Sequence, residues 1–227
     1  MDGNGRWARA RGLPRIAGHR AGGEAVRRTV AAASELGIPY LTLYGFSSEN
    51  WRRPVREVAD LMALLRHYLE REIASLDENG IRLRVIGERD RFAPDIVGLI
   101  ERAEALTRDN AGVTLTIALS YGGRAEIVGA VRAIAAEAAR GSLSPAAITE
   151  EVVACHLLTA DLPDPDLLLR TSGEQRISNF LLWQCAYAEF VFTKTLWPDF
   201  SKADLDAAVE EYSRRERRYG SFAETGA

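Results

Sequence analysis

The sequence predicts an α/β fold: one domain over residues 1–227, with a mostly parallel central sheet of about six strands flanked by helices. Two patterns carry that expectation. Short β-branched or aromatic runs alternate with longer stretches of helical periodicity, and strands separated by helices form parallel sheets covered on both faces. Polar clusters also follow the strand-like runs directly, where open α/β sheets bind ligands. A chain of 227 residues is long enough for one sizeable core.

The first helical stretch, Gly22 to Gly37, is closed by a C-terminal glycine. Tyr40-Leu41-Thr42-Leu43-Tyr44-Gly45-Phe46 follows as a run of strand length. Beyond Pro54, a long amphipathic helix sets Val58, Leu61, Met62, Leu65, Leu69, Ile73 and Leu76 on one stripe. Asn79-Gly80 ends it, and Arg82 to Ile86 is a short strand. Pro94 to Asn110 reads as a helix and Val113 to Ser120 as an apolar strand. Gly123 to Arg140 is an alanine-rich helix stopped by Gly141-Ser142. A short helix over Thr149 to Leu158 precedes strands at Asp166–Arg170 and Phe190–Phe192, and a charged helix runs from Ala203 to Tyr219.

The residues are 47% hydrophobic and 27% charged, with a net charge of −3, so any polyanion site must be local. Residues 1–28 supply one: seven arginines stand against Asp2 and Glu24. That footprint suits a small phosphorylated ligand and not nucleic acid, which needs an extended basic face. Cys155 and Cys185 have no metal-binding spacing and are too few for a disulfide scaffold, which points to a reducing cytoplasm. With no signal peptide and no apolar run of membrane-spanning length, lipid contact is expected to be peripheral.

The run Met1-Asp2-Gly3-Asn4-Gly5-Arg6-Trp7-Ala8 sets a carboxylate beside two glycines, with Arg9, Arg11, Arg15, His19 and Arg20 soon after. Glycines admit close backbone approach, consecutive N–H groups can form an anion nest, and guanidinium forks match phosphate oxygens. Beside a diphosphate, Asp2 could hold Mg2+, which takes one or two carboxylates plus substrate oxygens. A solvated arginine-rich arm is the competing reading.

After the first strand, Ser47, Ser48 and Asn50 offer polar groups, Arg53 a fork and Trp51 a flat face. Singly, each fits a capped turn or core filling as well as a site. Arg170 and Arg176, with Ser178 at what reads as a helix start, make a good diphosphate receptor, and few acids lie near enough in sequence to neutralise both. Glu189, between Ala188 and Phe190, is costly to bury unless paired with an arginine or bound to metal, and both remain open. His67 and His156 read as structural. No P-loop, complete dinucleotide glycine motif, GxSxG elbow or paired DDxxD clusters are present.

Five ordered strings carry a resemblance: MDGNGRWA, RIAGHRAG, YLTLYGFSSENWRRP, SYGGRAEI and DLLLRTSGEQRISNFLLWQCAYAEFVFTKTLWPDF, with RERRYG near the end. Together they resemble the cis-prenyltransferase family, and most closely its bacterial undecaprenyl diphosphate synthase branch. The resemblance implies a homodimeric, cytoplasmic transferase of isoprenoid biosynthesis. It would add isopentenyl diphosphate repeatedly to an allylic diphosphate, farnesyl diphosphate by expectation, and make a long polyprenyl diphosphate. Undecaprenyl diphosphate, a lipid-carrier precursor for cell-wall synthesis, is the expected product. The growing tail would occupy an apolar tunnel, which the stripe from Val58 to Leu76 and the strand from Val113 to Leu119 could line or simply fill as core.

By motif position, Asp2 is the catalytic metal-linked carboxylate, with Mg2+ as cofactor. Gly3, Asn4, Gly5, Arg6, Arg15 and His19 would hold the allylic substrate, with Trp7 beside it. Ser47, Ser48 and Glu49 would line the site, while Trp51 and Arg53 contact substrate. Asn50 matches the position assigned to proton removal, yet a carboxamide is a poor base, so a positioning role with a diphosphate oxygen or Asp2 as acceptor is expected instead. Arg170, Arg176, Ile177 and Ser178 match the isopentenyl diphosphate pocket, and Glu189 the second metal-linked carboxylate. Arg218-Tyr219-Gly220 resembles an element that reaches the partner's site. Two departures stand out. Gln175 replaces a histidine of some members, and the apolar strand that normally precedes MDGNGRWA lies outside this numbering or is missing from the sheet. The alternative function is a non-catalytic scaffold subunit of the same fold.

Overall fold

The computed structural model describes residues 1–216 of the chain. Its strands are β1 (Tyr40–Ser47), β2 (Arg82–Ile86), β3 (Thr114–Tyr121), β4 (Leu167–Arg170) and β5 (Glu189–Phe192). The helices are α1 (Asn4–Ala10), α2 (Arg15–Glu35), α3 (Val55–Glu78), α4 (Pro94–Leu106), α5 (Gly123–Ala139), α6 (Glu150–Cys155) and α7 (Lys202–Ser213). All strand pairings are parallel, as the alternation predicts, but the expectation of about six strands in one sheet is too high. Among the described residues there are five, in a three-stranded sheet ordered β1-β3-β2 and a two-stranded sheet β4-β5. Tyr40 lies opposite Thr114, and Leu167 opposite Glu189. β1 and β4 are not hydrogen-bonded to each other; a cleft separates them.

Two segments expected as loop are helical. Gly3 takes a left-handed φ of 112° and starts α1, so the presumed phosphate loop is a short helix. α2 begins at Arg15, directly after Pro14, seven residues earlier than predicted. It runs through three glycines because neighbours press on them. A Cβ at Gly18 would sit 2.0 Å from the Asn4 carbonyl oxygen, and one at Gly23 would sit 1.9 Å from the Tyr68 hydroxyl. A helix propensity penalty of about 1 kcal/mol per glycine is accepted in exchange for this approach.

Conversely, the helix expected to start near Ser178 does not form. Residues 171–188 are irregular, and Ser172, Ser178, Asn179 and Leu181 hold positive φ angles of 71°, 51°, 62° and 44°. α7 opens on a reciprocal Ser201–Asp204 capping box and ends at Ser213.

The core has three connected parts. Ala25, Leu43, Leu83, Leu115 and Trp197 join α2 to the larger sheet. Phe46, Leu69, Phe92, Ile96, Ile100 and Leu119 fill the space under α3 and α4. Tyr121, Leu168, Leu181 and Cys185 link the two sheets. At the outer edge strand β2, the Leu83 N–H donates to Thr107 Oγ1 (3.0 Å) and the Val85 N–H to Glu104 Oε1 (2.8 Å), both acceptors lying at the end of α4.

Candidate active site

The cleft between β1 and β4 encloses about 990 Å3. Asp2, just before α1, Asn4 of α1 and His19 of α2 border it from the N-terminal side. Ser47, Glu49, Asn50 and Arg53 reach it from the end of β1, and Arg170, Arg176, Ile177 and Ser178 from the end of β4. Both groups thus stand where parallel strands end, the usual ligand position of such sheets.

Asp2 is fixed through its backbone. Its N–H donates to Thr171 Oγ1 (2.9 Å), and its carbonyl accepts from the Thr171 hydroxyl (2.9 Å) and the Trp197 N–H (3.0 Å). The side chain is 38% exposed, and Oδ2 meets Arg170 Nη2 at 3.0 Å. Burial pushes this carboxyl's pKa up, but the Arg170 hydrogen bond and charge, helped by Arg6, hold it below the usual value. Arg170 also donates to Ser178 Oγ (2.8 Å), tying Asp2 to the next loop.

Across the cleft, a short turn over Ser48–Arg52 carries Asn50. Asn50 Oδ1 accepts from the Ser47 N–H at 3.1 Å, so the carboxamide oxygen caps the turn and its NH2 is the end left for a ligand. Burial raises the Glu49 carboxyl, but hydrogen bonds from Asn179 and the serines bring it below its ordinary pKa. His19 is kept below the usual imidazole value by burial and by Arg53 and Arg15, against the pull of Glu57.

The arginines here are counterbalanced: Asp2 pairs with Arg170 and Glu174 with Arg176, which corrects the expectation of too few acids near those two. Glu57 on α3 bridges Arg15 (2.8 Å) and Arg53 (3.1 Å). Glu174 bridges Arg6 (3.0 Å) and Arg176. Arg6 further donates to the Ser172 carbonyl (3.0 Å). Carboxylates therefore sit where the arginines could meet phosphate oxygens.

A family model described as "Putative undecaprenyl diphosphate synthase" matches residues 1–220. The chain belongs to the undecaprenyl diphosphate synthase family. It is a transferase of the isoprenyl type. It is 56% identical over 222 residues to "Isoprenyl transferase 2" of Bradyrhizobium diazoefficiens, covering 98% of this chain and 88% of that one. It is 57% identical over 220 residues to an isoprenyl transferase of Brucella suis biovar 1, covering 97% and 87%. The fold matches lavandulyl diphosphate synthase from Lavandula x intermedia, solved with dimethylallyl diphosphate (TM-score 0.95, 39% identity, 97% and 95% covered). It also matches a "probable undecaprenyl diphosphate synthase" from Campylobacter jejuni (TM-score 0.79, 32% identity, 89% and 93% covered).

Not every residue carried over from the prenyltransferase motifs borders the cleft. Trp7 faces away: its indole N–H donates to Asp199 (2.7 Å) and Arg11 stacks on it at 4.2 Å. Trp51 is wedged between Phe46 and Phe92, with its N–H on Ser120 Oγ (2.8 Å) and Arg91 over its ring at 4.7 Å. Gly3 and Gly5 act as spacers under α1, against Leu196 and Arg15. Ser48 lies against Gly122.

Glu189 is not brought to Asp2. It pairs with Arg215 at 2.8 Å and stands opposite Leu167, whereas Asp2 adjoins Arg170 three residues on, roughly 10 Å along the strand. Arg218 lies outside the described residues. Of the α3 stripe only Leu61 borders the cleft, and β3, with Leu115 and Leu119 buried, contributes only Thr116. Of that expected lining, Leu69, Ile73, Leu115 and Leu119 are buried in the core, and Leu61, Met62 and Leu65 pack partly buried against it.

Tyr44, Glu57, Glu174 and Asn179 escaped the sequence reading. Tyr44 stacks on Phe180 at 4.4 Å, and its hydroxyl donates to the Tyr121 carbonyl (3.0 Å). Glu57 sits four residues beyond Arg53, a helical pairing distance that could have revealed it. No local signal distinguishes Asn179.

Proposed function

We propose that this chain elongates an allylic diphosphate, farnesyl diphosphate first, with isopentenyl diphosphate in cis, releasing a long polyprenyl diphosphate of the undecaprenyl class for cell-wall lipid carriers. The observation that carries this reading is the convergence of Asp2, Asn50 and Arg53 with Arg170, Arg176 and Ser178 around one cleft at the strand ends. Two clusters of guanidinium groups suit two diphosphates.

In this reading Arg170, Arg176 and Ser178 bind isopentenyl diphosphate, while Arg6, Arg15, His19 and Arg53 hold the allylic diphosphate. The allylic carbon–oxygen bond breaks as the new carbon–carbon bond forms, and negative charge grows on the leaving oxygens. Fixed arginines stabilise that charge without reorganising. Asn50, with its oxygen committed to the Ser47 N–H, orients substrate through its NH2. The proton lost from the isopentenyl unit goes to a diphosphate oxygen or to Asp2.

The donor set suits Mg2+ held by one carboxylate and substrate oxygens: Arg6 Nη2 stands 3.8 Å from Asp2 Oδ1, beyond hydrogen-bond distance. When bound, the ion would add charge stabilisation at the leaving diphosphate. Glu189, held by Arg215, stays outside that set within one protomer.

Homodimerisation and a cytoplasmic location complete the proposal. Val128 and Val131 on α5 are about half exposed and offer apolar surface to a second copy. Both cysteines are free thiols, in keeping with a reducing compartment. No described helix is long and apolar enough to cross a membrane.

The test is incubation of purified chain with farnesyl diphosphate, radiolabelled isopentenyl diphosphate and Mg2+, with products sized by chromatography. Labelled polyprenyl products from the wild type, lost in Asp2→Ala, are expected. Binding of both diphosphates without any elongation would instead identify a scaffold.

A further inference from the structure

We propose that Asn179 is a positioning residue that holds the Asn50 turn and the Ser178 loop at a fixed separation, and so sets the distance between the two diphosphates. This rests on the prenyl-elongation reading above. Asn179 sits at the meeting point of three segments. Its carbonyl accepts from the Gly123 N–H (2.7 Å) and its Oδ1 from the Arg124 N–H (2.9 Å), which together cap the start of α5. Its Nδ2 donates to Glu49 Oε1 (3.0 Å), one residue before Asn50. Its chain neighbour Ser178 is the acceptor for Arg170. Neither loop can shift relative to the other without breaking one of these bonds.

Two local features are shaped for this junction. Asn179 has a φ of 62°, a left-handed conformation that asparagine and aspartate adopt more readily than other side chains. Gly122 leaves the space: a Cβ there would lie 2.6 Å from Ser48 Oγ and 2.7 Å from Asn179 Nδ2. A side chain at residue 122 would therefore push apart the two segments that Asn179 joins. Because reacting atoms must be held within a few tenths of an ångström, a change in loop separation acts on turnover more than on the affinity of either substrate alone.

Asn179→Asp isolates the contact. It keeps the backbone preference and an acceptor for the Arg124 N–H, but turns a carboxylate toward Glu49. Adding Glu49→Gln restores a donor–acceptor pair in the reverse sense, since the amide introduced at position 49 can donate to the carboxylate introduced at position 179. Wild type, N179D, E49Q and N179D/E49Q are compared for kcat with both substrates saturating, for each KM, and for thermal unfolding.

N179D is expected to lower kcat by about tenfold to a hundredfold, with each KM changed by less than about threefold. In the E49Q background the same substitution should cost less than about a quarter of that factor. Equal costs in the two backgrounds, or a rise in one KM at unchanged kcat, would overturn the proposal. If N179D fails to fold, G122A reads the same separation: reduced kcat supports the junction and unchanged kcat overturns it. A wild-type chain that makes no prenyl product refutes the function itself. In that event the melting temperatures of the four variants still report whether Asn179 and Glu49 are coupled.

Discussion

Asp2 and Arg170 stand 168 positions apart in the chain and meet in a 3.0 Å ion pair at the end of β4. The first turn of the protein is thereby bound to the smaller sheet, with Thr171 pinning the Asp2 backbone.

Asp2→Asn keeps the shape of this contact and removes its charge. Turnover should fall by about a hundredfold to a thousandfold, the scale of losing one preorganised electrostatic group. Steady-state kinetics with saturating substrates checks this, and a change of less than about fivefold would remove Asp2 from the chemistry.

Trp51 and Ser120 form a donor–acceptor pair whose serine is buried. Ser120→Ala leaves the indole N–H without its acceptor and should cost about 1–3 kcal/mol. Trp51→Phe removes the donor, so the S120A penalty should shrink in that background. Denaturant unfolding of the four chains gives the coupling.

Gly18 of α2 should respond in the opposite direction from Gly98 of α4 and Gly129 of α5. Gly18→Ala drives a methyl group into the Asn4 carbonyl and should destabilise by about 2 kcal/mol or more, as an overpacked core does. Gly98 and Gly129 face open space in helices, so alanine there should stabilise by about 0.5–1 kcal/mol. Melting temperatures decide both signs.

Glu57 occupies two arginines assigned to the allylic diphosphate. Without it, Arg15 and Arg53 repel each other until an anion arrives. Glu57→Gln should therefore bind inorganic diphosphate about two- to tenfold more tightly, in line with charge-assisted hydrogen bonds of this kind. Calorimetric titration at low and high salt tests it, and weaker binding would show that Glu57 aims the arginines instead.

Asp204 caps α7, with Ser201 and Thr195 as donors. Burial raises its pKa, but these bonds outweigh burial and bring it below 3.8. Its stabilising contribution is then complete above the unfolded value of 3.8 and lost as pH falls through the lower folded value. Asp204→Ala should cost about 1 kcal/mol at neutral pH. The difference in melting temperature from the wild type should shrink in strong acid.

The legible parts of this protein are those written in short-range patterns. Proline and glycine punctuation at Pro54, Asn79-Gly80 and Pro94 marks α3 and α4 well, because their effects are local. The early start of α2 is hidden, since Gly18 argues against a helix until Asn4 and Ala8 of α1 are known to press on it. Similarly, Ser178 followed by apolar residues reads as a helix start. Three left-handed residues between Ser178 and Leu181, of which Asn179 is hydrogen-bonded to the start of α5, prevent one. In the site, motif positions locate Asp2, Asn50 and Arg170. The pairing of Glu57 with Arg15, that of Glu174 with Arg6 and the junction at Asn179 depend on contacts among distant segments, which no single stretch of sequence encodes.

The outward N–H groups of β2 carry a consequence for how copies of this protein meet. An open strand margin invites another chain to add its own strand, and from there to polymerise. Here Thr107 and Glu104 already occupy the N–H groups of Leu83 and Val85, so a would-be neighbour finds no free donors at those two positions. Two side chains at the end of one helix thus act as a stopper against unwanted fibre growth and leave self-association to other faces of the molecule.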